Sequence, residues 1–235
     1  MNAPVLPKAR MKVDEFLAWS ERQPDDRYEL VDGEIVAMTR DTVRHNRTKF
    51  AAAQTLEAGV RMAGLSCLVL IDGVGVAIND KTLRIPDVLV HCGAEPDPDA
   101  LIVESPVIVV EVVSPSSERD DTEAKLVDYF SVASIRHYLI VFSEKRVVVH
   151  HRRNEGEIAT RIAHDGNIAL DPARRACRRR GAVTIRSNPH DPASAPPAGR
   201  GPSRAATATV RPEGSSTMSP SRAMRVAISP PFRRW

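Results

Sequence analysis

Asp87 interrupts the apolar run RIPDVLV, residues 84–90, and Glu111 interrupts PVIVVEVVS, residues 106–114. An isolated carboxylate is costly to bury, so an acid in such a run is paired, protonated, or gathered with others around a cation. Glu29, in YELVDGEIV at residues 28–36, places a third acid on an early strand. Hard divalent cations such as Mg²⁺ or Mn²⁺ take carboxylate oxygens together with water and substrate phosphate. A cation held this way activates water and neutralises charge on a phosphodiester, so metal-assisted phosphodiester hydrolysis is the chemistry that matches the three acids. Lys125 extends the set: positions 118, 122, 125 and 129 recur at helical spacing and place Glu118, Thr122, Lys125 and Tyr129 on one face. Turned toward the acids, Lys125 orients the attacking water or stabilises developing charge. The plainer alternative pairs one or both of Asp87 and Glu111 with Arg84, Arg119 or Arg136 and leaves Lys125 as a solvated lysine facing Asp121.

These side chains need a scaffold, and the chain punctuates one. KVDEFLAWSER, residues 12–22, carries Val13, Phe16 and Leu17 at helical spacing. Asp32-Gly33 between two apolar runs is a strong hairpin signal. Residues 42–64 are rich in helix formers, lack proline and stop at Gly64. SCLVLID, GVAIN, TLRIPDVLVHC and SPVIVVEVVS follow as β-branched runs separated by turn residues. A helix over 117–132, with Ser117 as its cap, precedes three strands in RHYLIVF, KRVVVHHRR and EIATRIA, the first two joined by a turn at 143–145. This alternation predicts an α/β or α+β domain, a mixed sheet flanked by helices. Both faces of VIVVEVV are apolar apart from Glu111, as in a central strand covered on each side.

Charge divides the chain. Residues 1–172 hold 20 Lys+Arg against 28 Asp+Glu, a net of −8, and residues 173–235 hold 13 against 2, a net of +11. The second part has no Lys and half of the 18 prolines, without apolar periodicity, so it reads as a disordered basic tail. Such a tail holds nucleic acid electrostatically, has no selected role, or is a shifted-frame translation of a GC-rich gene. One domain over 11–172 is therefore expected, with 42% hydrophobic residues overall allowing one ordinary core. Cys67, Cys92 and Cys177 are isolated and odd in number, which suits a reducing cytoplasm. No apolar run reaches the roughly 18 residues of a membrane span, and the start MNAPVLPKARMK lacks the apolar stretch of a secretion signal. His45 reads as a surface histidine, His137 and Tyr138 as strand-edge residues, and His150 and His151 as neighbours pointing to opposite faces. GVGVA has neither the lysine nor the spacing of a phosphate loop.

YELVDGEIV, RIPDVLV, VVEVVSPSS, a lysine 14 positions beyond Glu111, then YF and RHYLIVF, taken in that order, resemble the Uma-two family, a restriction-endonuclease-like group within the PD-(D/E)XK nuclease-like superfamily. The resemblance covers roughly residues 11–172. It implies a restriction-endonuclease-like fold, a mixed central sheet flanked by helices, in a metal-dependent endonuclease that acts on nucleic acid, with DNA the expected substrate. By carry-over Asp87 and Glu111 become metal ligands with Glu29 as the upstream acid, Lys125 becomes the catalytic lysine, and His45 matches a position near the site. The superfamily's lysine normally stands two residues after the second acid; here Val113 occupies that place and Lys125 on the next helix takes over the role. The family's terminal apolar segment is replaced by ARRACRRRG. The expectation is thus a cytoplasmic, Mg²⁺- or Mn²⁺-dependent endonuclease with no membrane partner and the option of a homodimer. The competing expectation is a non-catalytic nucleic-acid-binding or interaction module that keeps the fold.

Overall fold

The computed structural model describes residues 7, 9–23, 27–113 and 122–171, with the backbone of 226–227. The elements run α1 (Val13–Ser20), β1 (Tyr28–Val31), β2 (Glu34–Ala37), α2 (Val43–Ala63), β3 (Cys67–Ile71), β4 (Val76–Asn79), β5 (Thr82–Arg84), β6 (Val88–Cys92), β7 (Pro106–Val113), α3 (Thr122–Ser131), β8 (His137–Phe142), β9 (Val147–Asn154), β10 (Glu157–Ala163), β11 (Asn167–Ile168) and β12 (Val226–Ala227). The N-cap expected at Ser117 and the tail expected from 173 lie outside the described residues, apart from the β12 backbone, which pairs with β11.

Local signals explain most boundaries. Asp32 and Gly33 both take positive φ, 50° and 82°, which a tight two-residue hairpin requires, and they join β1 to β2. Thr42 caps α2 by accepting the His45 N–H, and Gly64 closes it in the left-handed conformation. Gly75, in GVGVA, leaves no room for a side chain: a Cβ there would stand 2.9 Å from Leu83 Cδ1. That glycine is explained by the close approach of β5.

Two sheets form. One has the order β2-β1-β5-β4 and carries α1, whose Val13 and Phe16 bury against Tyr28, Leu30, Ile35 and Leu83. The other has the order β10-β9-β8-β7-β6-β3, antiparallel except for the parallel β7–β8 pair. A parallel neighbour needs a long crossover, and the segment containing α3 provides it. α2 covers one face of this sheet with Leu56 and Val60 against Val88, Val90, Ile108 and Val110. α3 covers the other, with Tyr129 and Phe130 against Leu89, Val109, Tyr138 and Ile140. Side-chain alternation then sends Glu111, in step with Val109, toward α3. Glu111 is thereby the one acid on a strand whose first seven residues are all buried.

The strand register corrects two sequence readings. Cys67 and Cys92 are not isolated: they stand opposite each other on β3 and β6 and form a disulfide. Twenty-five residues of separation hide a pairing that only the register reveals. His137 is not an edge residue, because β8 is flanked by β7 and β9 and its side chain is fully buried.

His137 Nδ1 lies 2.9 Å from His150 Nε2, and His137 Nε2 lies 3.0 Å from Asp171 Oδ1. Burial, together with the neighbouring His137 and Arg152 charges, holds His150 down at about 3, and burial also lowers His137. Both rings thus have folded pKa values below the unfolded value. Their contribution to stability is complete above about pH 6.5 and is lost as pH falls toward 3, where the unfolded chain binds protons that the native state refuses. Urea unfolding should show stability falling by on the order of 1 kcal/mol per pH unit below pH 6.5. His150→Gln should flatten that slope.

Candidate functional site

The two acids meet because of the β6–β7 register. Val88 pairs with Val110, so the next position outward sets Asp87 opposite Glu111. Strand β6 begins at Val88, one residue after Asp87, and Pro86 has no N–H to extend the ladder. The Asp87 side chain takes up the pairing instead: Oδ2 accepts the Val112 N–H at 2.7 Å.

Glu111 is held from α3. Its Oε1 accepts from the Tyr129 hydroxyl at 2.6 Å and from Lys125 Nζ at 3.1 Å. No residue among those described donates to its Oε2. Burial raises Glu111 to about 7; the Lys125 charge opposes this, while Asp87 and Glu29 add to it. Tyr129 is pushed well above the ordinary phenol range by burial and by the Glu111 charge, so it remains a hydrogen-bond donor.

Glu29 stands beside this pair with both oxygens engaged. Oε2 receives Arg84 Nη1 at 3.0 Å, and Oε1 receives the Ile85 N–H at 2.9 Å with Lys125 Nζ at 3.6 Å. Arg84, only 3% exposed, also bonds Asp128 of α3. Arg84 was among the arginines expected to partner Asp87 or Glu111; the acids it partners are Glu29 and Asp128 instead. The Lys125–Asp121 alternative lies outside the described residues.

The sequence reading did not include Lys49. Its ammonium is buried, 2.7 Å from Asp41 Oδ2, 3.0 Å from Asp72 Oδ2 and 2.9 Å from Asp87 Oδ1. Burial disfavours its charge, but Asp41, Asp87 and Asp72 prevail and hold its pKa above the usual lysine range. His45, four residues earlier on α2, is not a surface residue: it lines the cleft with Nε2 3.3 Å from the Asp87 carboxylate and 3.5 Å from Asp41. Burial disfavours the His45 cation, yet Asp87 and Asp41 more than offset it and raise its pKa. Asp87 is lowered in spite of burial, by the His45 hydrogen bond, the Lys49 charge and the Val112 N–H. Of the arginines near the start of α2, Arg44 forms an exposed pair with Glu144.

The resulting cleft has a volume of about 200 Å³, and Glu29, Asp41, His45, Asp87, Glu111 and Lys125 all line it. Among the described residues, the ion pairs make up a set of two groups: Asp41, Asp72 and Asp87 with Arg27 and Lys49, and Glu29, Glu111 and Asp128 with Arg84 and Lys125. Six carboxylates face four permanent cations, so the set lacks two positive charges before His45 is counted. No three His, Cys, Asp or Glu side chains among the described residues converge as a ready-made metal cage. Asp87 and Glu111, which both line the cleft, are the residues that could hold a hard divalent cation, with water completing its shell; the site does not present three free carboxylates.

Comparison with known proteins follows the same outline. Residues 13–174 match the Uma2 family, described as "Putative restriction endonuclease". The chain is 29% identical over 167 residues to "Uncharacterized protein slr1290" of Synechocystis sp., a match spanning 66% of this chain and 82% of that one. It superposes with a TM-score of 0.55 at 15% identity on a crystal structure of "a putative nuclease belonging to DUF820" from Anabaena variabilis, covering 68% of this chain and 88% of that chain. At that identity the likeness establishes the fold, a mixed sheet with flanking helices. The family match spans well over half of the chain: this protein belongs to the nuclease-like Uma2 family.

Proposed function

We propose that the protein is an endonuclease that hydrolyses DNA phosphodiester bonds with Mg²⁺ or Mn²⁺ held by Asp87 and Glu111. The observation that carries this reading is the meeting of these two carboxylates in an open cleft where acids outnumber permanent cations and a lysine stands 3.1 Å from Glu111. When bound, the cation would supply Lewis acidity and a more acidic water. Tyr129 and Lys125 fix one oxygen of Glu111, whose side chain lines the cleft. Lys125, bridged between Glu111 and Glu29, is positioned to hold a phosphate oxygen or the attacking water. Glu29 takes part by anchoring Lys125 while Arg84 balances its own charge.

A second reading draws on the fact that both oxygens of Asp87 are already bonded, to Val112 and to Lys49 with His45. In that case the chain is a nucleic-acid-binding or interaction module without cleavage. One experiment separates the two: the purified full chain is incubated with supercoiled plasmid, linear duplex and single-stranded RNA, with Mg²⁺, Mn²⁺ or EDTA. The enzyme reading expects DNA strand breaks that need the metal and stop in EDTA. Retarded DNA that stays intact under every metal condition supports the module and ends the nuclease proposal.

A further inference from the structure

Lys49 occupies a place that needs a cation whether or not the cleft holds a metal. Its ammonium touches one oxygen each of Asp41, Asp72 and Asp87, at 2.7, 3.0 and 2.9 Å. These acids come from the lead into α2, the turn after β3 and the approach to β6, so three separate segments are tied at one positive point. The side chain is 1% exposed, which leaves the charge inaccessible to bulk water. Three carboxylate oxygens from rigid segments are also what a hard divalent ion collects, and phosphodiesterases with two ions hold them about 3.5–4 Å apart around shared carboxylates. Asp87 is shared in that sense, between the ammonium on one side and the Glu111 side of the cleft on the other.

We infer that Lys49 is a built-in replacement for a second metal ion, a positioning residue that fixes Asp87, neutralises Asp41, shares Asp72 with Arg27, and limits the cleft to one exchangeable divalent cation. The count of one rests on the metal-dependent reading of Asp87 and Glu111; the replacement itself does not. Its three N–H donors meet three oxygens, so the lysine supplies both the charge and the directionality of a small ion. Unlike an ion, it cannot leave, and the geometry of Asp87 is set before any metal arrives.

Mn²⁺ stoichiometry tests this, read on the full chain from the electron paramagnetic resonance signal of free Mn²⁺ and from calorimetry. Wild type should bind one ion per chain, Lys49→Gln two, and Lys49→Gln combined with Asp72→Asn one again. A purely structural lysine would alter stability without raising the ion count. Two ions on wild type, or an unchanged count on a folded Lys49→Gln, overturns the inference. No ion on wild type but one on Lys49→Gln removes the metal-dependent reading and upholds the role of Lys49. If the missing positive charge among Asp41, Asp72 and Asp87 keeps Lys49→Gln from folding, Mn²⁺ should restore its far-ultraviolet circular dichroism. Failure to restore it at millimolar Mn²⁺, while the double variant folds unaided, counts against the inference.

Discussion

Glu111→Gln should lower metal-dependent DNA cleavage by on the order of 10³-fold in kcat/KM while leaving the protein folded. The amide keeps the size of the carboxyl group and an oxygen to accept the Tyr129 hydroxyl, so packing around α3 is preserved. What disappears is the negative charge of a residue that lines the cleft. The sign of the stability change makes the prediction sharper. Glu111 is raised to about 7 when folded, from an ordinary 4.5, so in the metal-free protein its charge costs stability once pH rises through 7. At pH 8 with EDTA the Gln variant should match or exceed the wild type in urea midpoint. A loss of activity accompanied by a lower midpoint would mean that the residue is structural, and residual cleavage near the wild-type rate would remove Glu111 from the site. Asp87→Asn should lose activity to a similar degree but with some loss of stability, because Lys49 and His45 then face a neutral group.

The second large effect is on folding. Arg84→Met should destabilise the protein by about 3–5 kcal/mol, the usual consequence of removing one partner of a buried pair. Glu29 is 4% exposed and, among the described residues, would keep Lys125 and the Ile85 N–H as partners, while Asp128 would lose its tie to β5. Adding Glu29→Gln should recover part of the loss, since the neutral amide no longer needs a counter-charge. Urea unfolding of the two single variants and the double variant gives the coupling between them. Additive losses would show that Arg84 acts through its packing and not through Glu29.

How far the site could be read from the sequence depends on the kind of signal each residue gives. Asp87 and Glu111 were visible because an acid inside an apolar run contradicts its surroundings, and β6–β7 pairing brings the contradictions together. Glu29 and Lys125 followed from the hairpin and from helical spacing, and both line the same cleft. Lys49 gave no comparable contrast, since a lysine on a helix is usually solvated. A signal was nevertheless present: positions 45, 49, 52, 56 and 60 form one stripe of α2, and Ala52, Leu56 and Val60 on that stripe face the core. A lysine in register with them is either buried or misplaced. Tyr129 was placed on the Lys125 face but given no task, because a hydroxyl finds its partner only in three dimensions. The Cys67–Cys92 bond and the burial of His137 depended on strand order and register, which local pattern does not encode.

The bond from the Val112 N–H to the Asp87 side chain has a further consequence. One carboxylate serves as the last rung between two strands and, under the proposed function, as half of the cleft's chemistry. A slip of one residue between β6 and β7 would turn Glu111 toward α2 and leave Val112 without its acceptor, so a misthreaded sheet would be silent as well as unstable. Under the proposed function, cleavage would double as a proofreading signal for strand pairing: a molecule that cut would have its central ladder correctly zipped.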